Sequence, residues 1–483
     1  MSVRAVAVKA GWLLATVIAL LGCRALASAL TAHYLGQQAR SELAILRAGE
    51  PLWQWTFSRP DDLIAGRAFG AAEVRPVADG LRVSSLDGTP FELGLPIERG
   101  LDLEHWPLLQ LDRHGGSPLM LSVIWQAAGS DACTSAPVRW DGAHLTLDLR
   151  KLGPSGPAHC ALPANAGLLR LRIGMAKGSA FVLSSAALTA VDPRSLVPSP
   201  VEPPDASGLR SAHAAAVPVV RVNASASAEQ MLARRDEVTA LRPAAITVVD
   251  GTSLAGQQEA SALPHWLAWT AAAAYGLALL VLSLRPRPAW LNLLAGLLGP
   301  LILIAGLQWG QRPPAAGMLV LAAALAFVFH TQRNQAPSWQ WIGDWRCAAW
   351  WWPLALLPVT ALVCWVWGHA LDAVPARRAL VYLGWAALQQ WLILGFALGQ
   401  LARLLPTPWA VFGAALLFAL MHVPNGALMQ LCFLAELWWA ACFVRQRAIL
   451  PVALAHASCA LLVGAGLVGS GLRSLEVSAR FFL

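Results

Sequence analysis

The feature that most constrains this chain is the near absence of charge after residue 263. Of 27 acidic residues in 483, only four lie beyond that point, namely Asp344, Asp372, Glu436 and Glu476. Over the whole chain, 57% of the residues are hydrophobic and 13% are charged, a balance far from that of an ordinary soluble domain. The back part therefore predicts membrane helices, and a cytosolic enzyme is excluded.

The apolar residues of the back part form eight runs, each close to the length that crosses a bilayer as a helix. These runs lie near 265–284, 289–309, 315–331, 347–368, 379–402, 409–423, 427–444 and 448–469. A further run from Gly11 to about Leu30 predicts an N-terminal membrane anchor over residues 1–30. Alternating small residues at Ala25, Ala27 and Ala29 leave a cleaved signal peptide as the alternative. With the anchor, we expect a polytopic α-helical membrane protein of about nine spans.

Basic residues in the short loops predict the orientation, because cytoplasmic loops carry an excess of lysine and arginine. The net charge of +8 is read in this way, and not as a surface for nucleic acid. With a cytoplasmic N-terminus, the inner residues are Arg4, Lys9, Arg285, Arg287, Arg333, Arg346, Arg403, Arg445 and Arg447, and the outer ones are Arg312, Arg377, Arg378, Arg473 and Arg480. We expect a multi-pass protein of the bacterial inner membrane, with residues 31–263 in the periplasm.

The exported segment is rich in short apolar stretches separated by turn signals. Asp79-Gly80, Asp87-Gly88 and Asp141-Gly142 are pairs typical of hairpin turns. The stretches are Leu81–Val83, Phe91–Leu95, Leu119–Trp125, His144–Leu149, Leu168–Ile173 and Phe181–Leu183. This spacing predicts an inserted all-β sandwich of jelly-roll type over residues 31–192.

Two side-chain types in that segment suggest specific roles. The tryptophans either pack in the core or offer flat faces to sugar rings, which makes a glycan a possible partner; they are Trp53, Trp55, Trp106, Trp125 and Trp140. Cys133 and Cys160 are the only cysteines of the exported segment, and a disulfide between them is expected in an oxidising compartment. The other six cysteines lie in or beside apolar runs and are interpreted as packing residues.

Three further boundaries complete the expected organisation. Residues 193–263 hold a Pro-rich linker at Pro193–Pro204 and a small β-α-β element. That element comprises a strand at Val217–Val222, a helix at Ala226–Leu241 and a strand at Ala245–Val249. Residues 264–345 hold additional membrane helices and an interfacial segment at Trp339–Trp345. Residues 346–483 form a second membrane domain.

Few polar side chains lie within the predicted spans, and these are the informative ones because burying them in a bilayer costs free energy. They are Gln389, Gln390, His422, Glu436 and His456. Taken singly, each has a structural interpretation. Glutamines and histidines form hydrogen bonds between helices, and a protonated Glu436 is neutral.

Taken together, their order resembles the motifs of the CAAX-protease and bacteriocin-processing (CPBP, ABI) family of intramembrane endopeptidases. The family motifs are Glu-Glu-x-x-x-Arg-Gly, Phe-x-x-x-His and His-x-x-x-Asn. This chain has Gln389-Gln390-x-x-x-Leu394-Gly395, then Phe418-x-x-x-His422 followed by Pro424, and then His456-x-x-x-Ala460. The resemblance covers about the last 140 residues.

The resemblance implies hydrolysis of a peptide bond inside the membrane by a water that a glutamate activates. Two histidines and an asparagine position the water or stabilise the oxyanion. Gln389 holds a water but cannot deprotonate it, because a carboxamide takes no proton near neutral pH. On an α-helix, residues 390 and 394 face each other, so Gln390 and Leu394 represent the joint loss of a charge pair.

Two functional interpretations follow for this membrane domain. In the first, a divergent protease uses His422, His456 or Glu436 as its base. In the second, a pseudoprotease binds a membrane-embedded peptide or protein segment without cutting it. A glycan-responsive membrane component that uses the periplasmic sandwich is compatible with either. We expect no cofactor, no nucleic acid and no metal, since two histidines without a carboxylate or thiolate at ligand spacing are weak evidence for zinc.

Overall fold

The structure is a computed structural model that describes residues 3–153, 160–192, 197–200, 209, 216–252, 265–310, 313–335 and 339–483. The chain divides into two compact units. The membrane unit comprises Met1–Ala32, Ser225–Leu232 and Ala260–Leu483. The β unit comprises His33–Ala224 and Ala233–Glu259.

The first helix, α1, spans Val3–Arg47 and so continues well past the apolar run expected to end near residue 30. Residues 31–47 are rich in Ala, Leu, Gln and Arg, which favour helix. Ala39, Leu43 and Leu46, spaced four and three residues apart, pack in the core of the β unit. Helix periodicity therefore persists where the sequence analysis placed the start of the β-rich segment.

The β unit contains two antiparallel sheets. Its first eleven strands are β1 (Trp53–Thr56), β2 (Ala72–Val77), β3 (Gly80–Ser85), β4 (Phe91–Gly94), β5 (Leu108–His114), β6 (Leu119–Ala127), β7 (Cys133–Thr134), β8 (Val138–Trp140), β9 (His144–Asp148), β10 (Ala166–Gly174) and β11 (Ala180–Thr189). One sheet has the order β2-β3-β11-β5-β9 with β1 on β11, and the other has β4-β10-β6-β7 with β8 on β6. All six stretches expected to form strands do so.

The Asp-Gly pairs do not all serve as hairpin turns. Asp79-Gly80 lies at the turn that joins the paired strands β2 and β3, and Gly80, the first residue of β3, has a φ of 145°. Asp87-Gly88 and Asp141-Gly142 instead connect strands of different sheets, β3 to β4 and β8 to β9. The expectation of three hairpins was wrong for two of them. An Asp-Gly pair specifies a local reversal of the chain, whereas the pairing partner is chosen by tertiary packing.

The strands alternate buried and exposed side chains, and their buried sides contribute to one hydrophobic cluster. In β10, Leu169, Leu171 and Ile173 are fully buried, and they share the cluster with residues of both sheets. The five tryptophans considered above are also at most 8% exposed. They therefore pack in the core and present no open faces for stacking, and a glycan partner stays a prediction without support from them.

Cys133 and Cys160 form a disulfide with a Cα–Cα distance of 5.7 Å, which confirms the pairing expected from the sequence. Cys133 belongs to the short edge strand β7, which pairs with β6. The bond ties this edge to the segment that precedes β10. Disulfides that close a loop of this kind stabilise mainly by restricting the unfolded chain.

The small β-α-β element is also present. Strand β13 (Ala216–Val222), helix α2 (Ala228–Leu241) and strand β14 (Ile246–Val249) follow one another, and the two strands pair in parallel. Strand β12 (Val197–Pro200) adds a third parallel strand from within the Pro-rich segment. The rest of Pro193–Pro204 lies outside the described residues. Val217, Ile246 and Val248 join the main core, so this element packs on the β unit's hydrophobic centre.

The membrane unit is α-helical after residue 264. Its helices are α3 (His265–Ser283), α4 (Ala289–Ala305), α5 (Ala315–Asn334), α6 (Leu356–Trp367), α7 (Ala376–Gln390), α8 (Thr407–Leu420), α9 (Gly426–Gln446) and α10 (Leu450–Gly466). Among the described residues, six helices are long and apolar enough to cross a membrane, and three apolar helices are shorter. The six include α1 near the N-terminus.

Helix α7 changes its winding directly after Gln390. Trp391–Leu398 is a π-helix in which every residue after Trp391 is buried, and one α-helical turn at Gly399–Leu401 follows it. The sequence pattern predicts one α-helix over this stretch, with residues 390 and 394 facing each other. In a π-helix the hydrogen bonds run from i to i+5, so residues four apart no longer stack in that way. The first motif thus lies at an α-to-π junction.

Candidate functional site

The polar residues of the membrane unit come from four successive helices. Gln389 and Gln390 are the last two residues of α7, and His422 lies in the turn that follows α8. Glu436 is in the middle of α9, and His456 is in the first half of α10. Contact between residues up to 67 positions apart therefore depends on how these helices pack.

A cavity of about 770 Å³ opens between these helices. Its polar wall contains Gln389, His422 and His456, and Ala460 lies beside them. Helix α7 contributes one complete face, because Arg378, Tyr382, Trp385 and Gln389 recur at helical spacing along it. The remaining lining residues are mostly apolar, among them Leu356, Val359, Leu428, Leu431, Val463 and Leu467.

Gln390 lies behind this wall and is completely buried. Its Nε2 donates to Oε2 of Glu436 at 3.0 Å and lies 3.3 Å from Nδ1 of His456. Glu436 is also completely buried and does not line the cavity. A single amide nitrogen therefore bridges a carboxyl group and an imidazole, and the carboxyl group is separated from the cavity.

The His422 ring is held by a hydrogen bond to the end of helix α8, which precedes it. Its Nδ1 donates to the carbonyl oxygen of Phe418 at 2.8 Å. Asn425 fixes the following turn, because its side chain accepts from the Leu428 amide at 3.1 Å and donates to the Ser474 carbonyl at 2.8 Å. The first of these bonds caps helix α9. The His-Val-Pro-Asn stretch thus joins the end of α8 to the start of α9 in one hydrogen-bonded turn.

Aromatic rings enclose the two histidines. The centroid of the Phe418 ring lies 4.8 Å from that of His422 and 5.3 Å from that of His456. The Trp439 ring lies 5.3 Å from His456, and the Tyr382 ring lies 6.4 Å from it. Such rings restrict the imidazoles to a few orientations and exclude water from their faces.

Two features of this site were not anticipated from the sequence. Trp439 and Tyr382 pack around His456, although neither belongs to a recognised motif. A spacing signal existed for each, since Trp439 lies three residues after Glu436 and Tyr382 seven residues before Gln389, separations that share a helix face. The second feature is the division of the Gln pair, with Gln389 on the cavity and Gln390 behind it. Adjacent helix residues point in different directions, but the packing of the neighbouring helices decides which of the two faces the cavity.

The candidate site residues therefore fall into two groups. Gln389, His422 and His456 line one cavity, while Gln390 and Glu436 form a buried layer that contacts it through His456. Across the part of the chain that the structure describes, no group of three or more His, Cys, Asp or Glu is placed to hold a metal ion.

Comparison with known proteins identifies one similar family. Residues 350–462 match the family described as Rce1-like, type II CAAX prenyl endopeptidase. No curated protein sequence matches the chain. The matched range contains all five candidate residues, the whole of α7, α8 and α9, and α10 as far as residue 462. The resemblance drawn from the motifs is thus confirmed, and over residues 350–462 this chain is similar to the Rce1-like type II CAAX prenyl endopeptidases.

Proposed function

We propose that residues 346–483 form a CAAX-protease-like membrane domain that binds a membrane-embedded peptide segment and has lost most of its peptidase activity. One observation carries the proposal: the cavity presents Gln389, His422 and His456, and the one carboxyl group in their network, that of Glu436, is buried behind Gln390. The family implies a glutamate that activates water at this place.

The rate of hydrolysis falls because a carboxamide cannot act as a general base. A carboxamide hydrogen-bonds a water molecule but does not remove its proton, and losing a general base costs about 10²–10⁴ in rate. Ala460, which lies on the cavity where the family pattern has Asn, offers no hydrogen bond to an oxyanion. One missing donor of that kind costs about another 10²–10³. Both losses act on the same reaction, so hydrolysis is strongly impaired.

The cavity itself remains suited to a ligand. A volume of about 770 Å³ lies within the range of small-molecule and peptide pockets. Its walls are mostly apolar, and Gln389, His422 and His456 contribute polar groups together with the charged lining residues Arg378, Glu476 and Arg480. That combination favours an apolar polypeptide segment with one peptide group at the histidines.

A cleavage assay tests the proposal. The purified full-length protein in lipid nanodiscs is mixed with a panel of apolar peptides that carry a fluorophore and a quencher on either side of the cavity-binding stretch. We expect no cleavage by wild type and none by the His422→Ala variant. His369→Ala changes an exposed histidine outside the cavity and serves as the matched control.

The opposite result identifies an active enzyme. Robust cleavage by wild type that is lost in His422→Ala and kept in His369→Ala overturns the pseudoprotease interpretation. Loss in Glu436→Gln as well assigns the carboxylate role to Glu436. Cleavage that survives all three changes and is lost in His456→Ala assigns the base to His456 and likewise overturns the pseudoprotease interpretation.

We further propose the architecture that places this site in a cell. All nine apolar helices cross the bacterial inner membrane with the N-terminus in the cytoplasm, and the two antiparallel sheets form a periplasmic sandwich. Support comes from the excess of arginine and lysine in the loops assigned to the inside, from the shared core of the two sheets, and from the Cys133–Cys160 disulfide.

A further inference from the structure

The two histidines of the cavity are held by different kinds of partner. Nδ1 of His422 lies 2.8 Å from the Phe418 carbonyl oxygen. A carbonyl oxygen only accepts hydrogen bonds, so the hydrogen must reside on Nδ1 of His422. In a neutral imidazole, Nε2 then carries the free lone pair.

His456 is held in the opposite way. Its Nδ1 lies 3.3 Å from Nε2 of Gln390, and an amide nitrogen only donates. Nδ1 of His456 is therefore the acceptor, and Nε2 carries the hydrogen. The second hydrogen of the same amide is directed to Glu436 at 3.0 Å, so both hydrogens of Gln390 Nε2 are used.

Both imidazoles are also neutral. His422 and His456 are at most 7% exposed, and among the described residues neither takes part in an ion pair. A buried cation without a neighbouring anion is strongly disfavoured, because burial removes its hydration. Each ring thus has Nδ1 engaged within the protein, and both residues line the cavity, so Nε2 is the nitrogen left for a ligand.

We propose that Gln390 is a positioning residue that fixes the tautomer of His456, and that the cavity thereby presents one donor, His456 Nε2–H, and one acceptor, His422 Nε2, to an unpaired peptide group. This inference rests on the proposed function and names the ligand more closely. The donor binds a backbone carbonyl and the acceptor binds a backbone N–H.

The ligand must then be locally non-helical. In a transmembrane helix each interior N–H and C=O is already bonded within the helix, because the bilayer offers no water to replace those bonds. Only a stretch where the helix is broken presents a free pair to the cavity. Glycine and proline break helices in this way. The site therefore selects an apolar segment with a helix break.

The tautomers are measured by nitrogen NMR of the full-length protein in nanodiscs, with ¹⁵N-labelled histidine and assignment by His422→Gln and His456→Gln. We expect His422 as the Nδ1–H form and His456 as the Nε2–H form. Gln390→Glu replaces the amide donor next to His456 by a carboxylate, which only accepts when it is ionised, so His456 should move to the Nδ1–H form.

A double variant keeps this experiment decisive if two adjacent carboxyl groups prevent folding. Gln390→Glu combined with Glu436→Gln exchanges the acid and the amide, which restores a carboxyl–carboxamide hydrogen bond between the two positions. It still removes the amide donor from His456, and the same tautomer change is expected. Gln340→Glu is the matched control, because Gln340 is exposed and lies outside the cavity, so the tautomer of His456 should stay unchanged.

Binding is measured with two fluorescent 20-residue peptides of Leu and Ala, one with a central Gly-Pro pair and one without a break. We expect wild type to prefer the broken peptide about tenfold, and the exchange variant to lose that preference, since one hydrogen bond is worth about that factor. Equal binding of both peptides by wild type overturns the peptide-group assignment.

The outcomes separate this inference from the proposed function. Robust cleavage by wild type defeats the pseudoprotease interpretation but leaves the tautomers to be judged by NMR. His456 found in the Nδ1–H form in wild type, or unaffected by the exchange variant, defeats the positioning role of Gln390 while peptide binding still stands.

Discussion

Restoring the residues expected in the family at two cavity positions should rebuild hydrolysis in steps. Gln389 and Ala460 line the same cavity as both histidines, so a carboxylate at 389 shares bound water with them. Gln389→Glu changes a single atom of the side chain. Ala460→Asn adds a short amide beside a cavity of about 770 Å³, which has room for it.

The expected magnitudes follow from the two missing functions. Gln389→Glu alone should raise cleavage of the quenched peptides by at most about 10²–10⁴, the contribution of a general base. It should remain about 10²–10³ slower than Gln389→Glu with Ala460→Asn, which corresponds to about 2.7–4 kcal/mol in the barrier. Initial rates at fixed peptide and enzyme concentration in nanodiscs give both ratios.

The same chemical change one residue further along provides the control. Gln390→Glu sets a second carboxyl group about 3.0 Å from Glu436, away from the cavity. If both were ionised, their repulsion would be about 5 kcal/mol at an effective dielectric constant of 20. We expect Gln390→Glu to lower the thermal stability of the protein and to give no cleavage of the quenched peptides. Equal cleavage rates for Gln389→Glu and Gln390→Glu would refute this reasoning. The same holds if adding Ala460→Asn to Gln389→Glu leaves the cleavage rate unchanged.

Three further predictions concern the β unit. Replacing Cys133 and Cys160 by serine should lower its free energy of unfolding by about 3.5 kcal/mol for a loop of 27 residues, which hydrogen exchange of the strands in the full-length protein measures. Hydrogen bonds from Ser185 and His144 lower the pKa of Asp112. Because folding lowers the pKa of Asp112, the stabilisation that its carboxylate provides is complete above the unfolded-state pKa of about 3.9. This stabilisation disappears as the pH falls through the folded-state pKa. Asp112→Asn should therefore destabilise the unit at pH 7, and the difference from wild type should vanish in acid. A reporter inserted at the turn of Gly129 should behave as periplasmic; cytoplasmic behaviour contradicts the proposed topology.

The sequence by itself determined the elements whose signals are local. Apolar runs without charge become helices because a bilayer or a core requires every backbone group to be paired within the helix. Alternation in stretches such as Leu168–Ile173 gives strands because side chains point to opposite faces of a sheet. The motif spacing around His422 and His456 placed the family resemblance, and the two cysteines of one segment gave the disulfide.

Tertiary structure decided what depends on partners distant in sequence. It chose which strands pair, so that only Asp79-Gly80 of the three turn pairs closes a hairpin. It wound Trp391–Leu398 as a π-helix, which no spacing argument at the first motif could reveal. It also separated Gln389 from Gln390, because the packing of α7 against α9 and α10 leaves one on the cavity and brings the other to Glu436 and His456. Hydrogen-bond partners decide which nitrogen of a histidine carries the proton, and those partners are fixed only when the helices pack.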